Sequence, residues 1–384
     1  MPTPRRGLSP NERSMSSGLD IATDVPARSG TTPTCSVRRA HEHGRARPVS
    51  LQASRREHAF GLPLVRVGLS KSVGSGVSIE ERLLVVPMRM HKDEVDVDEA
   101  LVRGLIATQM PDLADLPLVV VEPWGTDHAI WRLGAELVVR LPRIQWAAGQ
   151  PELEARWLPR LAPHLPVAVP EPISLGEPEG GYPYRWALHR WLPGEGATLN
   201  GLDDPVAFAL ALAEVVARLQ AVPAADAPSA TNRARPLAEY DVSTRWAIDH
   251  ASHLIDAVAA LEVWEEALAV APYDGAPVWV QGDLEGNCLV RDGQLCGIVD
   301  WGSACAGDPA VDVQVVWSPL FTDDSRRAFL DALDVDDATV ARSRGAAINQ
   351  ACAALPYYLN TYPRIVERSW HKLAALGVQP LSVA

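Results

Sequence analysis

From Val95 onward, apolar positions recur at intervals that specify elements. Leu101, Val102, Leu105 and Ile106 follow helical spacing behind the acidic lead-in Val95-Asp96-Val97-Asp98. Leu118-Val119-Val120-Val121 predicts a strand. Ile130-Trp131-Arg132-Leu133 and Leu137-Val138-Val139-Arg140-Leu141 predict two more, joined by a tight turn at Gly134-Ala135-Glu136. Pro151 then opens a helix carrying Leu153, Trp157, Leu158 and Leu161. Tyr184 to Leu192 predicts one further strand and an exit from the sheet. After Gly194 the pattern turns helical. Asp204-Pro205 is an N-cap followed by Pro at the first helical position, and Phe208, Leu212, Val215, Val216 and Leu219 form an apolar stripe. A second long helix is predicted from about Thr244 to Ala269. Short β-like pieces follow at Val278-Trp279-Val280, Cys288-Leu289-Val290 and Cys296-Gly297-Ile298-Val299, the last two joined by the Asp-Gly turn of Arg291-Asp292-Gly293-Gln294. From about Val311 the chain reads as helical again.

Residues 1–87 have no such periodicity. Runs such as Pro2-Thr3-Pro4-Arg5-Arg6 and Ser14-Met15-Ser16-Ser17-Gly18 predict a disordered extension, or a start codon placed upstream of Met88 or Met90. The expected organisation is therefore a tail over 1–87, a sheet-bearing N-terminal lobe over 88–190, and a helical C-terminal lobe over 191–384.

Charge is uneven along the chain. The formal net charge is −13. Residues 1–87 hold 13 basic and 7 acidic residues, a net of +6, and the rest holds 22 basic and 41 acidic, a net of −19. An acidic body argues against a nucleic-acid partner and favours a cationic small molecule. No stretch reaches the roughly 18 apolar residues of a membrane span. The five cysteines include no Cys-x-x-Cys pair, which fits a reducing cytoplasm better than a disulfide framework or structural zinc.

The chemistry concentrates in Val280-Gln281-Gly282-Asp283-Leu284-Glu285-Gly286-Asn287-Cys288, followed by Gly297-Ile298-Val299-Asp300-Trp301-Gly302. An acid and an amide precede a hairpin, and a second acid follows it, so the hairpin brings Asp283, Asn287 and Asp300 near one another. Carboxylate and amide oxygens suit a hard divalent cation, with one acid left to handle a proton.

These two stretches resemble the catalytic loop and metal-binding Asp-x-Gly of the kinase-like superfamily, and most closely the aminoglycoside phosphotransferase family. Gly125-Thr126-Asp127-His128-Ala129-Ile130, Val138-Val139-Arg140-Leu141-Pro142-Arg143 and Gly307-Asp308-Pro309-Ala310-Val311-Asp312 also match that family. The resemblance runs from about Met88 to the C-terminus. It implies an α+β, protein-kinase-like two-lobed fold, with a small antiparallel N-lobe sheet, a mainly helical C-lobe, and ATP with Mg²⁺ in the cleft. It implies that Asp283 accepts the proton of the substrate hydroxyl, and that Asp300 and Asn287 hold Mg²⁺. Arg140 stands where kinases place lysine and would steady the phosphates with Glu154 as its ion-pair partner. Gly125 and Thr126 would cover the phosphates, and Arg190, Trp191 and Leu192 would link the lobes beside adenine. Asp308 and Asp312 read as helix caps, and His128 and His189 as structural.

Two positions depart from the family pattern. Gln281 replaces the usual His and keeps hydrogen-bonding capacity. Only Leu284, Glu285 and Gly286 separate Asp283 from Asn287, one residue fewer than in kinases. A shorter loop turns Asn287 away from the metal unless Glu285 takes its place. The acceptor wall is expected from Glu285, Asp323 and Asp324 and from helices near Tyr357, Tyr358 and Tyr362. The expected activity is ATP-dependent phosphorylation of a small, cationic, aminoglycoside-like hydroxyl compound. A metabolic kinase for choline, an amino-alcohol or a sugar, and a catalytically silent ATP-binding protein, are the alternatives.

Overall fold

The computed structural model describes residues 89–122, 125–231 and 233–381. The tail expected over 1–87 lies outside them. Asp98 accepts a hydrogen bond from the Leu101 N–H and so starts helix α1 (Glu99–Gln109), which buries Val102, Leu105 and Ile106. These three pack on a five-stranded sheet of β1 (Leu118–Val120), β2 (His128–Leu133), β3 (Leu137–Pro142), β4 (Pro172–Gly176) and β5 (Trp186–Arg190). Its order is β1-β2-β3-β5-β4 and every pairing is antiparallel. Arg140 lies on the central strand, between Ile130 on β2 and Ala187 on β5. Helix α2 (Gln150–Leu161) follows β3 and carries Glu154 on its buried side.

Strand β4 is absent from the sequence prediction. Its Pro172 and Gly176 are strand-poor residues, and they are tolerated because β4 is an edge strand with an irregular register between Pro172 and Ser174.

After β5 the chain crosses to β6 (Glu195–Gly196) and then to α3 (Pro205–Gln220), capped by the Asp204 side chain as expected. The predicted helix over 244–269 is instead two helices, α4 (Asp241–Ala251) and α5 (Ala257–Ala269). Apolar spacing runs on through the break because Leu254 and Ile255 are buried there. Asp256 starts α5 by capping Val258 and Ala259, and the C-terminal segment pairs with the break through Asp256 N–H to Gln379 and Leu381 N–H to Leu254. Next come β7 (Val278–Val280), the hairpin β8 (Cys288–Arg291) and β9 (Gln294–Ile298), β10 (Cys305–Gly307) and α6 (Ala310–Val313). Strand β10 pairs with β7, and β8 lies between β6 and β9. The hairpin turn places Asp292 at φ 50° and Gly293 at φ 68°, as the Asp-Gly signal requires. Helices α7 (Asp323–Ala332), α8 (Asp337–Tyr358) and α9 (Pro363–Ala375) complete the chain.

Among the described residues the helical part has two large cores beside a small cluster of Ala234, Val280, Cys305 and Val311. One joins α2 and α3 to Trp279, Ile298, Trp301 and Phe329. The other joins α4, α5, α8 and α9 around Trp264, Ile348 and Leu355. The architecture is the expected α+β, kinase-like one: an antiparallel sheet lobe and a mainly helical lobe. No described helix is long and apolar enough to cross a membrane. Cys288, Cys305 and Cys352 are buried free thiols, whereas Cys296 is half-buried.

Packing of the sheet lobe is tightest where Gly176 meets the indole of Trp186, which is fully buried. A Cβ at that position runs into the ring. Gly176→Ala is therefore expected to cost about 1–3 kcal/mol through overpacking. Urea unfolding measures this, and a variant as stable as wild type would contradict the packing described.

Candidate active site

Two acids are set by backbone geometry rather than by their own side chains. Asp283 follows β7 and Asp300 follows β9, and the buried Gln281 ties the two loops together. Its Oε1 accepts from the Asp283 N–H at 2.7 Å, and its Nε2 donates to the Asp300 carbonyl at 2.7 Å. The amide thus uses the hydrogen-bonding capacity noted for Gln281 to bridge the two loops. Asp300 adopts φ 60°, unusual for a residue with a side chain, which turns its carboxylate out of the strand direction. Both carboxylates remain partly open, with side-chain exposures of 32 % for Asp283 and 40 % for Asp300.

Arg140 joins the sheet lobe to this site. Its Nη1 donates to both Glu154 oxygens at 2.6 and 2.8 Å, and its Nη2 to Asp300 Oδ1 at 2.8 Å. Glu154 also accepts from the Trp301 N–H at 2.8 Å. The pairing of Arg140 with Glu154 is the one the motif implies. Burial opposes the charge on Arg140, but Glu154 and Asp300 outweigh it and raise its pKa. Burial alone would likewise raise the Asp300 carboxyl, yet Arg140 beside it holds it below the usual range. His128 and His189 flank the triad, and burial followed by the Arg140 charge lowers each to about 3. Both are neutral near pH 7, in keeping with a structural reading.

The turn at Gly125 and Thr126 lies against the helical lobe. His91 Nε2 donates to the Thr126 carbonyl at 2.9 Å, and its Nδ1 lies 2.9 Å from the Tyr357 hydroxyl. The next residue, Asp127, is pushed upward in pKa by burial and then by the charge of Asp300. At the lobe connection, the Arg190 N–H donates to Glu171 and the Trp191 N–H to Glu136, so both are engaged with the sheet lobe rather than free for a base. Arg190 pairs with Glu171 and Glu136, and Arg132 lies over Trp191 at 4.8 Å. Among the described residues the Leu192 N–H makes no hydrogen bond.

Asn287 stays in the constellation despite the short loop. Its amide nitrogen donates to the Asp283 carbonyl at 2.7 Å, and its amide oxygen accepts no hydrogen bond among the described residues. Glu285 does not replace it. The buried Lys372 of α9 pairs with Glu285 and also donates to Gln350. The expected acidic wall is not assembled either: Asp323 and Asp324 stand on the first turn of α7 and pair with Arg326 and Arg327 at the surface. Among the described residues no three acidic, His or Cys side chains form a protein-only metal cage. The donor set fits Mg²⁺, which takes few protein oxygens and completes its shell with phosphates and water.

Several residues at the site were not recognised in the sequence. Asp312, expected as a cap, sits inside α6, buried, and accepts from the Gln281 and Gly282 N–H groups at 2.8 Å each. Asp308 does cap α6, through the Ala310 N–H, and also pairs with Arg342. Gln350 of α8 donates to Asp283 at 3.2 Å, and Arg233 reaches Asp283 from the loop before α4. Asp312 lay in a quoted motif, whereas no local pattern marks Arg233 or Gln350.

Burial pushes the Asp312 carboxyl up to about 6, from an ordinary 3.8, against the two N–H groups that stabilise its charge. A folded value above the unfolded one favours the fold fully below about pH 4, and that contribution is lost as the pH rises to about 6. Asp312→Asn removes the titration and sets an NH₂ against one backbone N–H. The variant should be less stable by about 1–3 kcal/mol, with the gap to wild type narrowing between about pH 4 and 6. Urea unfolding across that range tests this, and a pH-independent gap would contradict it.

Comparison with known proteins places this geometry. A model of the "Phosphotransferase enzyme family" matches residues 123–348. The fold is similar to APH(2")-IIia in its GDP and kanamycin complex, with TM-score 0.58 and 20 % identity over 71 % of this chain and 97 % of that one. It is also similar to APH(2")-IIa in a gentamicin complex, with TM-score 0.51 and 18 % identity over 73 % and 96 %. A macrolide 2'-phosphotransferase type I gives TM-score 0.51 and 22 % identity over 72 % and 97 %. No curated protein matches the chain. The family match spans more than half of the sequence and contains both Asp283 and Asp300, and the chain belongs to the phosphotransferase enzyme family.

Proposed function

We propose that this phosphotransferase moves the γ-phosphoryl group of ATP to a hydroxyl of a small molecule. The observation that carries the reading is the Gln281 bridge, which ties together the backbones of two acids whose carboxylates are partly open. Asp283 takes the proton of the acceptor hydroxyl as its oxygen attacks phosphorus. Asp300 and the Asn287 amide oxygen would hold Mg²⁺, which supplies charge neutralisation on the phosphates. Arg140 fixes Asp300, and Glu154 fixes Arg140. Gly125 and Thr126 cover the phosphates. Arg190, Trp191 and Leu192 would link the lobes beside adenine, with the Leu192 N–H as the backbone donor toward it. The net charge of −13 favours a cationic acceptor reaching the protein, and kanamycin and gentamicin appear with two of the similar structures.

The reading is tested by Mg²⁺-dependent ATP consumption by the purified chain against a panel of hydroxylated amines. Asp283→Ala should lower kcat by about 10²–10⁴-fold while ATP still binds. Near-normal kcat at saturating acceptor would remove Asp283 from this role. Asp300→Asn should weaken nucleotide binding in Mg²⁺ more than in its absence, because a charged oxygen donor to a hard cation is lost. Calorimetry with and without Mg²⁺ measures this, and an equal loss in both conditions would contradict the metal assignment.

A further inference from the structure

A phosphoryl group in transfer carries charge on its outer oxygens, and a site that moves it needs a cation at that end of the nucleotide. Arg140 is not available for this task. Both its Nη atoms are committed at 2.6 to 2.8 Å, its Nε is buried, and its departure would strand Glu154, whose side chain is 1 % exposed.

Arg233 is held quite differently. Its Nη1 lies 3.1 Å from the Gly282 carbonyl and 3.3 Å from Asp283 Oδ1, and its Nη2 lies 3.4 Å from Asp283 Oδ2. Settled guanidinium–carboxylate bonds are about 2.7–2.9 Å, so these are loose. The side chain is 28 % exposed, and its Nε makes no hydrogen bond among the described residues. Its charge also acts on Asp300, Asp312 and Tyr358.

The loop that presents Arg233 is anchored on both sides. The Ala306 N–H donates to Pro228 at 2.9 Å and the Asp308 N–H to Ala234 at 3.1 Å. Ala234, the next residue, is buried at φ 60°, a costly conformation for alanine. That turn aims the preceding side chain at Gly282 and Asp283. Nothing in the packing of the core requires a guanidinium there.

We infer that Arg233 is a catalytic residue whose guanidinium binds the outer oxygens of the phosphoryl group during transfer; the inference rests on the phosphotransfer reading above. In the step, the acceptor oxygen forms a bond to the γ-phosphorus, the bond from that phosphorus to the bridging oxygen of ADP breaks, and the hydroxyl proton passes to Asp283. Arg233 changes no bond. A hydroxyl held by Asp283 lies about 3 Å from the phosphorus it attacks, which brings the phosphoryl oxygens within reach of a guanidinium lying against the same carboxylate. Binding them exchanges its loose contacts for short ones, so its stabilisation is greatest in the transition state.

The test compares Mg²⁺-ADP with Mg²⁺-ADP plus aluminium fluoride, a mimic of the group in flight, by calorimetry on the full chain. Wild type should bind the fluoride complex more tightly than Mg²⁺-ADP alone. Arg233→Ala should bind Mg²⁺-ADP within about 2-fold of wild type yet lose at least about 10-fold of the extra tightness, a fraction of the effect of an arginine finger. Added guanidinium ion should restore part of it. Arg235→Ala, which removes a neighbour paired with Glu239, should behave as wild type. If Arg233→Ala does not fold, Arg233→Gln, which keeps a donor for Gly282, carries the same comparison. A variant that keeps the full tightening, one that loses both complexes equally, or a wild type that binds Mg²⁺-ADP without tightening would each overturn the inference. Failure of wild type to bind Mg²⁺-ADP at all would instead sink the phosphotransfer reading, and this inference with it.

Discussion

One buried guanidinium holds the two halves of this protein in register. Arg140 is on the central strand of the sheet, Glu154 is on the helix that follows, and Asp300 is on the loop after β9. Neither Arg140 nor Glu154 is stable alone at its depth, because stranding a buried charge costs about 3–5 kcal/mol. Together with Asp300 they fix three elements at once. The Trp301 N–H adds to the tie by donating to Glu154, so the residue after Asp300 is held as well. The left-handed backbone at Asp300 is then over-determined: its carboxylate by Arg140 and its carbonyl by Gln281.

A second knot lies beneath the first. Asp312 receives the two N–H groups that lead into Asp283, and Gln281 passes that constraint on to Asp300. Asp283 and Asp300 are therefore both held by backbone hydrogen bonds to buried groups. Their carboxylates stay partly exposed, Asp300 with one oxygen held by Arg140 and Asp283 under the longer contacts of Arg233 and Gln350, an arrangement in keeping with a preorganised site. Arg233, with its long contacts and partial exposure, is the exception within this tight frame, and looseness is what a ligand-exchanging group needs.

Much of this was legible in the sequence because it is local. The hairpin with Asp292-Gly293, the capped helix behind Asp204 and the strands around Arg140 each carry their signal within a few residues. The pairing of Arg140 with Glu154 followed from the motif order. What escaped was long-range. The break between α4 and α5 depends on a C-terminal segment more than 120 residues away, to which Leu254 and Asp256 bind. Edge strand β4 is defined by β5 and not by its own propensity. Glu285 looked like a spare metal ligand until α9 brought Lys372 against it. Asp312 looked like a cap because its true donors, Gln281 and Gly282, precede it by about 30 residues.

The central claim is that Arg140 and Glu154 stabilise one another rather than the fold independently. A double-mutant cycle on stability tests it most directly, using Arg140→Met, Glu154→Leu and the double variant in urea unfolding. Arg140→Met strands the buried Glu154 carboxylate and should cost about 3–5 kcal/mol, Glu154→Leu leaves Arg140 with Asp300 alone and should cost less, and the double change removes both charges and should be less destabilised than the two single losses summed. Losses that simply add would contradict the account.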